Sequence, residues 1–309
     1  MSAAYLWSHS TQTEDLKPHL EQPSSSAREV DVLPAADALK KAVVERTQLA
    51  HQASISAQQL FEVSFAADTY GCAQRLQFVA SSRDSLHQAT QFKSQFEADA
   101  RFNGLDICLN EVALVHEEDL SCNNKTSQGA YLQRINCTLD SFVQVTNAPH
   151  FTHLVVFAAQ GKAYVQRGVM YLDEQDSYSV FIHELAHFAN FVDEYALNPA
   201  LARQFCHQSS SASPNLILSS EKLSGLNGNY ESSSTCASLG IKSYKPSAKL
   251  TFMEFHDVAY IPDNYLQMWE LELSRQHGQI AFAHQMLYLA NKKGNQSLIA
   301  HWQAIADGT

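Results

Sequence analysis

Residues 179–195 read SVFIHELAHFANFVDEY, with His183 and His187 four positions apart and Glu184 beside the first. On an α-helix, positions i and i+4 share one face a turn apart, so both imidazoles can bring a nitrogen to about 2.0–2.1 Å from a single zinc ion. Glu184 would sit beside that ion without binding it. There it can take the proton of a water acidified by the metal and later pass it to a leaving amine. These residue types at this spacing are what metal-assisted amide hydrolysis requires. The competing reading is a helix that carries two surface histidines and a solvated glutamate. The flanks weigh against it, because Val180, Phe181, Ile182, Leu185, Ala186, Phe188 and Ala189 make the stretch apolar nearly all round and a helix of that kind is buried. Two histidines and a glutamate buried without a partner are costly, and a cation removes that cost.

A catalytic zinc usually takes three protein ligands and keeps one position open. Asp193 lies six residues past His187, out of reach if the helix runs straight. A sharp turn near Asn190 brings it back, and Asn is, after Gly, the residue that most readily takes the left-handed conformation that ends a helix. Asp193 is thus the first choice for third ligand. Glu194 is the nearest rival, and Glu221, Glu231 and Glu254 are more distant ones. His256 reads as a ligand, a transition-state donor or, more simply, a structural histidine. Tyr195, Tyr244 and Tyr260 are candidate donors to a developing oxyanion, and the sequence does not rank them. GLNGNY (225–230) does not follow a strand and open a helix as a phosphate loop does, and reads as a turn. The N-x-S/T triplets at Asn124, Asn136 and Asn295 bear on glycosylation alone.

The elements that must position these residues alternate in pattern. LFEVSFAAD (60–68) predicts a strand, RDSLHQATQFKSQFEADARF (83–102) a helix, and LDICLNEVALVHEE (105–118) a strand. HLVVFAAQ (153–160) has the short, uninterrupted apolar run of a strand buried on both faces, and GKAYVQRGVMYLDE (161–174) reads as an edge strand or hairpin arm. The helix of the histidines follows, with Asp176, Ser177 or Ser179 available as its cap. Residues 207–250 are rich in Ser, Asn and Gly and predict a largely irregular segment, and 264–293 predict one or two terminal helices. This order predicts a mixed α/β (α+β) layer arrangement, in which parallel neighbours need a helix crossing one face. Residues 1–54 read as a polar lead-in with one helix, AADALKKAVVERTQLAHQA, ahead of a main domain at 55–309.

At 309 residues, 45% of them hydrophobic, the chain can bury a core unaided. A net charge of −11 without clustered Lys or Arg opposes nucleic acid as a partner. No apolar run approaches the roughly 20 residues that span a bilayer. The first twenty residues lack a basic region followed by an apolar stretch, which predicts a cytosolic protein or one whose leader has been removed. The six cysteines include no CxxC pair, so a thiolate metal site is not expected. Loop closure favours the bridges Cys122–Cys137 and Cys206–Cys236, with free thiols as the alternative.

HELAHFANFVDEY resembles the extended zinc signature of the metzincin-like clan, in which a third ligand follows the second histidine by six residues with a glycine midway. Its trailing DEY is further similar to the bacterial IgA-peptidase-like metallopeptidase family. The resemblance implies a zincin-like catalytic domain with a mixed twisted sheet, an active-site helix and a mostly helical C-terminal part. It implies Zn²⁺ held by His183, His187 and Asp193, with Glu184 as general base. Asn190 stands where the clan has its glycine. YKPSAKLTFMEF (244–255) is similar to the segment that carries the clan's methionine turn, which would make Met253 that methionine. An edge strand around 161–169 would border the cleft and pair with an extended peptide. The expected activity is zinc-dependent hydrolysis of peptide bonds in peptide or protein substrates. The alternatives are a non-proteolytic zinc module on the same fold, or a zinc hydrolase whose third ligand is a distant Glu. With the six cysteines, the resemblance implies export to the periplasm or beyond, with the cytosol as the alternative.

Overall fold

Ser56 Oγ accepts from Gln59 N at 3.2 Å while Gln59 Oε1 accepts from Ser56 N at 2.9 Å. This reciprocal cap starts helix α1, Ala57–Glu62. The computed structural model describes residues 53–66, 71–122, 134–158, 160–206, 213–218 and 230–308. The lead-in helix expected within 35–53 lies outside them but for Ala53, as do Glu221, Asn124 and residues 225–229 of GLNGNY. The strand predicted over 60–68 is corrected: Leu60 and Phe61 belong to α1, and 63–66 have no regular structure. The Ser-x-x-Gln cap just upstream overrides a short apolar run that suits either element.

The first strand is instead β1, Gln74–Ala80, followed by helix α2, Arg83–Ala98. Ser82 caps α2 by accepting from Ser85 N at 3.0 Å. The chain returns as β2, Ile107–Leu109, and β3, Ala113–Leu114, both parallel to β1. The single strand predicted over 105–118 is therefore two pieces. Asn110 breaks it, its Nδ2 donating to Gln77 Oε1 at 2.6 Å. Helix α3, Asp140–Val143, then leads into β4, His153–Ala158, and a hairpin of β5, Tyr164–Gln166, and β6, Val169–Asp173. The sheet order is β2-β1-β4-β6-β5; all pairs are parallel except β5 with β6, so β5 is an antiparallel edge. The stretch 161–174 is thus a whole hairpin, with β6 inside the sheet.

Each central strand feeds two cores by period-2 alternation. Phe78, Val155, Phe157, Met170 and Leu172 face one side with α2, while Val79, Leu154, Val156, Val169 and Tyr171 face the other with α1 and α3. The first core also takes helix α4, Tyr178–Phe188, and helix α6, Asp263–Gln276. The second takes α7, Ala283–Lys293, and α8, Gln296–Ala306. The result is a mostly parallel sheet between two helical layers, the mixed α/β arrangement expected. Helix α8 exceeds the expected terminal helices. Its cap is Asn295, which accepts from Leu298 N at 3.2 Å.

Between α4 and α6 lie helix α5, Pro199–Phe205, and a two-stranded antiparallel pair, β7, Glu231–Ser233, and β8, Ser243–Lys245. The segment 207–250 thus carries a small sheet where irregular chain was predicted. Both favoured bridges, Cys122–Cys137 and Cys206–Cys236, are present, together with Cys72–Cys108, which ties β2 to the residue before Ala73. Three disulfides suit an exported protein. Among the described residues no helix is long and apolar enough to cross a membrane.

The β5–β6 turn consists of Arg167 and Gly168, both at positive φ, 47° and 75°, as the twist of a two-residue hairpin demands. A Cβ on Gly168 would stand 2.3 Å from the Ala281 carbonyl carbon and 2.4 Å from Phe282 N. Backbone on the far side of that contact cannot give way cheaply. Gly168→Ala is expected to destabilise the chain by about 2–4 kcal/mol, read from urea unfolding; an unchanged midpoint would contradict this packing.

Candidate metal centre

Helix α4 starts at Ser177, whose Oγ accepts from Val180 N at 3.4 Å. Its approach is fixed by Asp173 at the end of β6, which accepts from Gln175 N at 2.6 Å and from Gly161 N at 3.2 Å. Gln88 of α2 adds hydrogen bonds to the carbonyls of Asp173 and Asp176. Phe181, Ile182, Leu185 and Ala186 are buried in the sheet-side core. Each fully buried side chain as large as Phe181 contributes about 1.5–3 kcal/mol. The remaining face carries His183, Glu184 and His187, whose ligand atoms lie within 4.8 Å of one another.

The helix ends in a Schellman motif, with Phe191 N donating to Ala186 O at 3.2 Å and Asn190 N to His187 O at 3.1 Å. Asn190 takes the left-handed conformation, φ 62°, and its Nδ2 donates to Glu272 Oε2 at 3.1 Å. The turn the sequence required is made, and Asn serves in place of glycine. It reverses the chain so that Asp193 Oδ1 lies 3.0 Å from His183 Nε2 and 3.3 Å from His187 Nε2.

The tautomers follow from the other ring nitrogens. His183 Nδ1 is 2.8 Å from Phe252 O and His187 Nδ1 is 2.8 Å from Phe191 O. A carbonyl only accepts, so each Nδ1 carries a proton and each Nε2 is the atom left facing the pocket. The two Nε2 atoms, Asp193 Oδ1 and Glu184 Oε2 then converge; neither carboxylate oxygen has a hydrogen-bond donor among the described residues. Such a set fits a divalent cation. A proton is the alternative: burial opposes it, but the hydrogen bond and charge of Asp193 raise His187 to about 9. Burial likewise opposes ionisation of Asp193, yet the two imidazoles beside it hold its carboxyl well below the usual range. Burial pushes Glu184 up, against the pull of the two imidazoles.

Met253 is fully buried in a turn where Glu254 N donates to Thr251 O at 3.0 Å. The same turn supplies the Phe252 carbonyl that orients His183. Glu194 points away from the pocket into hydrogen bonds from Asn215, Thr251 and Tyr265, and so is no ligand. Glu231 is exposed on β7, and Glu254 is paired with Lys245. His256 is half-exposed beside Asp257, its ring 6.5 Å from that of His183. Of the three tyrosines, Tyr195 lines the cleft; Tyr244 is on β8 and Tyr260 lies beneath Lys249. The sequence reading missed Asn215, which brackets Val192 by accepting from its N–H at 3.0 Å and donating to its carbonyl at 2.8 Å. It also missed Thr235, whose hydroxyl donates to Asp193 O at 2.9 Å. Both sit in Ser/Asn-rich chain without periodicity, and no pattern marks them.

A cleft of about 480 Å³ opens over Glu184 and His183, walled by residues 161–163, Asp176, Tyr195 and Phe255. No protein-family model, curated protein or solved structure matches this chain. The site stands on its own geometry. Since Asn190 is held at φ 62°, Asn190→Gly is expected to alter stability by less than about 1 kcal/mol, whereas the β-branched Asn190→Val costs roughly 1–3 kcal/mol. Thermal melts of both variants check this, and equal melts would contradict the turn.

Proposed function

We propose that this chain is a zinc-dependent endopeptidase of metzincin-like type, with His183, His187 and Asp193 holding Zn²⁺ and Glu184 as general base. The observation that carries the reading is the meeting of Asp193 Oδ1 with both Nε2 atoms, at 3.0 and 3.3 Å, beside a cleft lined by His183 and Glu184. Two imidazoles and one carboxylate are a hydrolytic zinc set, and the cleft leaves a side open to solvent and substrate. The ligand geometry supports Asp193 over a distant Glu.

When bound, zinc supplies Lewis acidity, making water a competent nucleophile near neutral pH and polarising a carbonyl. Glu184 Oε2, buried and without a donor among the described residues, can accept the proton of the attacking water. Its raised pKa, caused by burial, lets it hold that proton and hand it to the leaving amine. Tyr195 lines the cleft, and its phenol, protonated at neutral pH, serves as a donor to a developing oxyanion. Edge strand β5 runs antiparallel to β6, and Lys162 and Ala163 just before it line the cleft. An extended peptide can add to that edge by main-chain hydrogen bonds. An Asn-for-Gly turn and three disulfides are compatible with a periplasmic or secreted peptidase of the IgA-peptidase-like kind.

The test is turnover of an unfolded protein substrate by the zinc-loaded chain. Glu184→Ala is expected to keep its zinc and lose about 10²–10⁴-fold in kcat; full activity in that variant would remove the assigned base. Tyr195→Phe is expected to lower kcat by about 10²–10³-fold with KM nearly unchanged. A KM effect alone would make Tyr195 a binding residue. A zinc-loaded wild-type chain inert toward every peptide and unfolded protein offered would reject the peptidase reading.

A further inference from the structure

We propose that Glu194 is the positioning residue of this site: its buried carboxylate locks the Asp193 loop to the Met253 turn and so sets where Asp193 meets the two imidazoles. Glu194 is 1% exposed. Its Oε1 accepts from Asn215 Nδ2 at 2.9 Å and from Tyr265 Oη at 2.6 Å; its Oε2 accepts from Thr251 Oγ1 and lies 3.9 Å from Lys245 Nζ. These partners come from the 213–218 segment, α6, the Met253 turn and β8. The main chain repeats the pattern, with Glu194 N donating to Met253 O at 2.9 Å and Glu194 O accepting from Ser234 N at 3.0 Å.

The lever is the Thr251–Met253 stretch. Phe252 O orients His183 through Nδ1, while Thr251 and Met253 on either side hold the side chain and the amide of Glu194. One short turn therefore fixes both the first imidazole and the residue next to the third ligand. Asn215 joins the other flank, bonding Val192 at both main-chain groups and Glu194 at its carboxylate. Asp193 is thus held from both neighbours, with Thr235 on its own carbonyl. Hydrophobic groups of similar volume could stabilise such a place at less desolvation cost, so a buried carboxylate with this many directional partners is understood as fixing geometry.

The zinc readout rests on the metallopeptidase reading, so the experiment carries a second one. Zinc affinity of the full chain is measured by competition with a chromophoric chelator for wild type, Glu194→Gln, Tyr265→Phe and a stability control, Phe282→Leu, in the core on the far side of the sheet. Glu194→Gln is expected to weaken zinc binding about 10–100-fold and Tyr265→Phe less, as outer-sphere partners of metal ligands do. Phe282→Leu is expected to bind zinc as wild type even where its melting temperature falls as far. Affinity in Glu194→Gln equal to wild type, or tracking melting temperature alike in all variants, overturns the proposal. A wild-type chain that binds no zinc rejects the metallopeptidase reading instead. Amide hydrogen exchange of the metal-free chain then decides: faster exchange in Glu194→Gln confined to residues 191–195 and 251–254 upholds the role, and unchanged exchange there overturns it.

Discussion

His183 and His187 each spend their one N–H on a backbone carbonyl, 2.8 Å away in both cases, and so turn acceptors toward a pocket already holding two carboxylate oxygens. Four acceptors facing one another repel, and partial burial weakens the screening that water provides. Such a pocket calls for positive charge, whether a proton on His187 or a cation shared by all. The rest of the site is the means by which the chain imposes that convergence and keeps one side open.

The imposing is done by rigid elements. The parallel strands β1, β4 and β6 carry α4 on one face, and Asp173 and Gln88 fix where that helix begins. The Schellman turn at Asn190 fixes where it ends. Beyond it the chain has little regular structure, and side chains replace sheet hydrogen bonds: Asn215 does for Val192 what a neighbouring strand would do. The bridge Cys206–Cys236 closes α5 onto the 230–245 pair next to Thr235, so the loop bearing Asp193 is backed by a covalent tie. A ligand on irregular chain can thus be as well placed as two on a helix.

What could be read from the sequence followed the range of the interactions. The α4 histidines, their apolar flanks and the need for a left-handed residue at Asn190 are local, and i to i+4 geometry suffices to see them. HLVVFAAQ was legible as a doubly buried strand because its run of apolar residues has no polar face. The stretch 60–68 misled because its six apolar residues serve a helix as well as a strand, and the cap at Ser56 lay outside the window. Strand β1 was overlooked since its buried Gln74 and Gln77 interrupt the apolar signal; their partners, Gln276 and Asn110, are set by the fold. Glu194 shows the same limit inside the site. Beside Asp193 it looks like a rival ligand, and only contacts from four other segments turn it away.

The central claim is that a divalent cation sits where the two Nε2 atoms and the Asp193 carboxylate converge. X-ray absorption at the zinc edge of the zinc-loaded chain tests it most directly. The account expects one zinc per chain with two imidazole nitrogens and carboxylate oxygen at about 2.0–2.1 Å, and a further light-atom position open to exchange. A chain that takes up no zinc, or zinc whose shell lacks two imidazoles, would contradict it.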